Sequence, residues 1–174
     1  MTDNLVTNEA GFQSVLPGVV TRNPSGGAYL GVGPEQNFTY IAAIQPEVSF
    51  VIDIRRENRD LHLMYKALFG LARDRVEFLS MLFSRALPDG LAPDASLQEI
   101  FRALSSATPN NELHDRNVAR ITTYLRETLA LPLQDAEIAN IKLIVQAVWA
   151  SHLVRLNRLQ HAGDGSVSAS VWAI

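Results

Sequence analysis

The sequence predicts a mixed α/β fold in which a strand–helix–strand unit near the N-terminus is followed by a mainly helical second half, with an incomplete sheet. Three observations carry this. Two short apolar runs, 29–32 and 48–54, are separated by a glycine turn and a helical stretch. From Leu61 onward apolar residues recur at helical spacing almost to the end of the chain. Only 165–174 returns to the period of a strand, alternating small polar and apolar residues from Gly165 to Ile174.

Taken in order, Tyr29 to Val32 is short, apolar and β-prone, and Gly31 and Gly33 lack the Cβ atoms that would hinder a sharp bend or a close approach to the backbone. Pro34 suits the first position of a helix, where its missing N–H has no intrahelical partner. That helix runs through Phe38, Ile41, Ala42 and Ile44 and is punctuated by Pro46. Val48 to Ile54 is nearly continuous in apolar residues, as expected of a parallel strand covered on both faces, and Asp53 closes it. Leu61, Met64, Tyr65 and Leu68 then form a helical stripe, continued by Val76, Leu79 and Phe83 beyond Gly70. Pro88, Gly90 and Pro93 mark a loop. Ser96 with Glu99 spells a capping box ahead of Leu97, Ile100, Phe101 and Leu104. A polar loop at 108–111 precedes a helix carried by Val118, Ile121, Tyr124 and Leu125 and ended by Pro132. A long amphipathic helix follows from about Asp135 to Leu159 through Ile138, Ile141, Val145, Val148, Trp149 and Leu156.

The chemistry-bearing residues concentrate in the first unit. The helix after Gly33 opens with N–H groups that have no intrahelical partner and face whatever lies over the turn. Parallel strands joined by a helix cross over right-handedly, which sets Asp53 beside the Gly31 turn, where its carboxylate can accept hydrogen bonds from the hydroxyls of a ribose. Glu35 at the helix start suits the helix dipole, would repel a phosphate and would attract an amino group. A dinucleotide fingerprint needs glycine at the position of Gln36, so its spacing is not met, although Arg55 and Arg56 offer guanidinium groups for a phosphate. The alternative for Arg55, Arg56 and Arg59, with Glu57 and Asp60, is a solvated, salt-bridged helix entrance.

Gly31-Val32-Gly33 with Asp53 at the end of the next strand resembles the first two motifs of the S-adenosylmethionine-dependent methyltransferases with a Rossmann-like fold. The run GGAYLGVGPEQNFTYIAA, then DIRREN, HLMYKALF and DRVEFLSMLFSR, is similar to an uncharacterised bacterial family of methyltransferase-like proteins. The resemblance implies S-adenosylmethionine as cofactor and methyl transfer to an acceptor that it does not identify. It sets Gly31 and Gly33 against the methionine and ribose part, Asp53 on the ribose hydroxyls and Ile54 on the adenine, with Glu35 at the methionine end. Two positions depart from the methyltransferase pattern: Tyr29 stands where an acid is usual, and Glu35 where a third glycine is usual. The later strands and third motif of that family have no counterpart here, so the chain reads as an N-terminal part or shortened relative of a larger methyltransferase-like protein. Its expected organisation is one domain over 1–174: an extension at 1–25, the cofactor-binding unit at 26–56, a helical region at 57–160 and a flexible tail or edge strand at 161–174. Other readings of the same residues are a protein that keeps the fold for nucleotide binding or assembly without catalysis, and an NAD(P)-binding Rossmann protein.

Composition narrows the remaining classes. A formal charge of −3 argues against general nucleic-acid binding. With no cysteine there is no disulfide, thiolate nucleophile or thiolate zinc site. His62, His114, His152 and His161 fall on separate elements without metal-ligand spacing, so no metal site is expected. His62 alone lies near the turn in sequence, as a packing residue or a general base. No secretory signal or bilayer-spanning apolar run is visible, and a cytoplasmic protein is the simplest expectation.

Overall fold

In the computed structural model, Ala28–Val32 (β1) and Val48–Ile52 (β2) pair in parallel, in the register Ala28↔Val48 to Val32↔Ile52. The structure describes residues 11–22, 25–87 and 90–161, with 12, 13 and 150–161 as backbone only. The fold is mixed α/β and mostly helical, and the sheet has two strands among the described residues. Two compact units meet within one helix, the first ending at His62 and the second beginning at Leu63.

In the first unit, Leu16–Arg22 (α1) precedes β1, and Gln36–Ile44 (α2) links the two strands. The link α2 ends where Gln45 takes a left-handed conformation, φ 53°, and sends its N–H to Ile41 O. Pro46 then prevents the helix from continuing. Strand register sets Leu30 beside Phe50 and Val32 beside Ile52 on one face of the sheet, and Tyr29 and Gly31 on the other. The Tyr29 face packs on α2. The opposite face stays open, with Leu30 67%, Val32 62%, Phe50 55% and Ile52 53% exposed. The expectation of a parallel strand covered on both faces is therefore met on one side only. The segment 165–174, read as a further strand, lies outside the described residues.

Arg56–Leu71 (α3) crosses the boundary between the units. Leu61, Met64, Tyr65 and Leu68 are all at most 1% exposed, as their spacing predicts. The stripe does not continue unbroken beyond Gly70. Asp74 adopts extended backbone and accepts the Glu77 N–H at 2.8 Å, starting a new helix, Arg75–Phe83 (α4). Leu97–Ser106 (α5) carries the expected capping box in full, with Ser96 and Glu99 bonding reciprocally. Asn111–Thr123 (α6) is capped by Asn110 and passes into a π-helical turn, Tyr124–Thr128, in which Leu129 N reaches Tyr124 O at 3.0 Å. Asp135–His161 (α7) completes the described chain.

The C-terminal end of α4 organises the second unit. Neighbouring helices bond its last carbonyls: Asn117 Nδ2 of α6 donates to Met81 O at 3.1 Å, and Trp149 Nε1 of α7 donates to Phe83 O at 3.0 Å. Arg85, 2% exposed, donates through Nη1 to Leu104 O and Ala107 O at the end of α5. The guanidinium thus sits at the negative pole of that helix, without a carboxylate partner among the described residues. Around this hub Leu82, Phe83, Ile100, Leu104, Ile121, Leu125, Ile141, Ile144 and Val148 form the core. No helix among the described residues is long and apolar enough to cross a membrane.

Candidate functional site

The C-terminal end of β1 leads into a turn at Gly33, whose φ of 89° lies in the region that glycine alone enters freely. Glu35 stands at the N-cap of α2 with helical backbone angles and no side-chain cap bond. On the neighbouring strand Asp53 comes one residue after the last strand position, Ile52. Because the strands are parallel and Val32 pairs with Ile52, the turn and Asp53 leave the sheet at the same end.

Asp53 is held ionised. Arg55 donates its backbone N–H and Nε to Oδ1 at 2.9 and 3.0 Å, and Nη2 to Oδ2 at 2.9 Å. The Arg55 guanidinium, then its backbone N–H, lowers the carboxyl pKa to about 2. The Asp53 side chain is 6% exposed beneath an arginine that is 33% exposed. Each carboxylate oxygen offers two lone pairs, so Arg55 fills both positions on Oδ1 and one on Oδ2, and the Ile54 N–H also favours the ionised carboxylate. Ile54 beside it is fully exposed, at 103%.

The turn itself is packed with side chains of its own unit. Asn37, 2% exposed, directs the two hydrogens of Nδ2 at Val32 O, Gly33 O and Pro34 O, at 3.2, 3.0 and 2.7 Å, one hydrogen being shared between two carbonyls. Its Oδ1 accepts from the Tyr29 hydroxyl at 2.8 Å, and Tyr29 lies 6.4 Å from the Tyr40 ring in a stacked arrangement. Burial first, and then Tyr40, raises the Tyr29 pKa, so the phenol keeps the proton it donates. A Cβ at Gly31 would collide with Asn37 Oδ1 and stand 2.7 Å from the Tyr29 ring. Gly31 lies within β1 and serves this close approach, whereas the bend itself belongs to Gly33. Gln36 Nε2 would be 3.4 Å from a Cβ at Gly33. From α3, His62 Nε2 reaches Gly33 O at 3.0 Å while its ring meets Phe38 edge-on at 5.4 Å.

Buried oxygens without a hydrogen-bond partner among the described residues include Gln36 Oε1, beside the turn, and Asn58 Oδ1. Asn58 is 4% exposed and stands one helical turn before His62, hence on the same face of α3. An unpaired buried acceptor costs about 1–3 kcal/mol, which a ligand N–H or O–H would recover.

Of the residues singled out in the sequence, Gly33, Glu35, Asp53 and Ile54 thus lie at one end of the sheet, and Gly31 lies just inside it beneath Asn37. The helix entrance differs from the solvated pairing expected. Arg55 belongs to Asp53, and Asp60, bonded by Arg59, has a completely buried side chain. Asn37 and Asn58 were not singled out in sequence. An asparagine one turn into a helix carries no signature of its own, although its tendency to bond nearby backbone is a general property. Among the described residues no group of three or more His, Cys, Asp or Glu side chains could hold a metal ion.

Comparison with known proteins returns no match among curated proteins or solved structures. It does return one family, matched over residues 4–131, a span that includes β1 to α6 and the whole candidate site. The chain belongs to that family, described as a domain of unknown function, DUF7790.

Proposed function

We propose that the chain binds an adenosine-containing ligand of the S-adenosylmethionine type, as the recognition unit of a methyltransferase-like protein. The observation that carries this reading is the arrangement at the end of the parallel pair: a positive-φ glycine turn into an uncapped helix, with an ionised acid just beyond the adjacent strand. The ionised Asp53 carboxylate is an acceptor suited to a ribose hydroxyl, and Arg55 holds it in place at the end of the strand. Ile54 supplies an exposed apolar surface next to that acid, suited to an adenine face. Glu35 favours a ligand that carries an amino group, and Gln36 Oε1 and Asn58 Oδ1 favour donors over further acceptors.

Methyl transfer from such a cofactor demands alignment of donor and acceptor more than acid–base chemistry. Recognition, rather than a catalytic group, is what these residues supply. His62 is engaged with Gly33 O and Phe38, which suits a packing and latching role. Of the two guanidinium groups offered for a phosphorylated ribose, Arg55 is already paired with Asp53, which weakens the case for a dinucleotide.

Calorimetric titration with S-adenosylhomocysteine, with NADPH and ATP as comparison ligands, tests the reading. Selective micromolar binding is expected, weakened at least tenfold in Asp53→Ala, because one hydrogen bond to a charged group contributes about 1.5–3 kcal/mol. Equal affinity in wild type and variant would remove Asp53 from the site.

The open sheet face favours a second reading, an assembly protein that covers Leu30, Val32, Phe50 and Ile52 with a second copy of the chain. Self-association that grows with concentration in light scattering and is lost in Phe50→Glu would support it, and a monomer at all concentrations would dismiss it.

A further inference from the structure

We propose that Asn37 is the positioning residue of the nucleotide turn, and that Gly31 is a glycine in order to admit it. The inference rests on the ligand-binding reading above for its consequence but on apo geometry for its substance. A trans peptide points its C=O and the following N–H in opposite directions, and the described chain has no cis peptide. Asn37 draws the carbonyls of Val32, Gly33 and Pro34 to one amide group. The N–H groups of Gly33 and Glu35 therefore face away from Asn37, and Pro34 has none. One buried carboxamide thus fixes which backbone donors the turn shows to a ligand.

The amide is itself oriented. Only Oδ1 can accept the proton of Tyr29, so Nδ2 is committed to the carbonyls. Tyr29 stands where the methyltransferase pattern has an acid, and its ring and hydroxyl fill the space beside Gly31. A carboxylate there would accept from Nδ2 and turn the amide round, with its oxygen toward the carbonyls. Tyr29, Gly31 and Asn37 therefore form one interlocked set, in which the hydroxyl sets the amide, the amide sets the turn, and the glycine leaves room for both. His62 adds a second hold on Gly33 O from α3.

The test begins on the unliganded wild-type chain, by NMR. Slow solvent exchange of the Asn37 carboxamide protons, accelerated in Tyr29→Phe, is expected; fast exchange in the wild type would overturn the proposal. Asn37→Asp keeps the shape and loses the donors. It is expected to shift the Gly33 amide resonance while protection across β2 stays unchanged, a local response that a general loss of stability would not give. S-adenosylhomocysteine affinity should fall at least tenfold in Asn37→Asp and in Gly31→Ala, with no further loss in the double variant. Wild-type affinity in folded Asn37→Asp, or additive losses in the pair, would contradict it. Should the wild-type chain bind no adenosine ligand, the binding reading fails, while the carboxamide exchange still decides the role of Asn37. If Asn37→Asp does not fold, Tyr29→Phe and the wild-type exchange decide it alone.

Discussion

Single residues here carry two opposite electrostatic signatures. The folded state holds Asp53 at a pKa of about 2 against an ordinary 3.8 through Arg55, so its contribution is present above the ordinary value and is lost as the pH falls through 2. Asp53→Asn should flatten the acid limb of the stability curve between about pH 4 and 2, measured by urea unfolding; an unchanged limb would show that Arg55 does not hold the acid in solution. His114 is shifted in the same direction, but because the folded state favours its neutral form. It is 6% exposed, stacked on Trp149 at 4.3 Å, and its Nδ1 has no hydrogen-bond partner. Burial lowers its pKa below the ordinary 6.5 despite the opposing effects of Gln146 and Asp115. The folded state then favours neutral imidazole, and stability present above the ordinary value declines as the pH drops below it. His114→Phe, which keeps a ring against Trp149, should remove that decline between pH 7 and 5. The positions of Gly33 and Asp53 were legible in sequence because turn and strand-end residues have distinctive chemistry. The role of Asn37 was not, since it depends on three carbonyls that converge only once the turn has formed.

At the scale of elements, helix ends are legible where a side chain caps them by a local motif. The Ser96–Glu99 capping box forms as spelled, and Ser96→Ala should cost about 0.5–2 kcal/mol by chemical unfolding, with no loss indicating that α5 is held by packing alone. The break between α3 and α4 was missed because helical periodicity continues across it, and Asp74 caps through a backbone conformation that hydrophobic spacing does not register. Arg85 was equally hidden. Its two bonds to Leu104 O and Ala107 O tie the segment after α4 to the end of α5. Arg85→Met should destabilise the chain by about 1.5–3 kcal/mol, because two helix-end carbonyls lose a charged donor. A neutral result would mean that the carbonyls find other donors.

At the scale of the molecule, the helical unit has a continuous core and capped helices, whereas the strand unit leaves one sheet face exposed among the described residues. Composition and periodicity made the α/β class and the scarcity of strands legible. They did not reveal that the described chain falls into two units meeting within α3, since a continuous helix hides such a boundary. Among the described residues the sheet has two strands, and such a pair is weak on its own, so order at its end depends on local devices such as Asn37, His62 and the Asp53–Arg55 pair. Those same devices surround the proposed ligand site, which makes recognition the central claim. Titration of the isotope-labelled chain with S-adenosylhomocysteine, followed through backbone amide shifts, tests it most directly. The account predicts saturable shifts concentrated at 31–36 and 53–55. Shifts confined to the helical unit, or none at all in a folded chain, would contradict it.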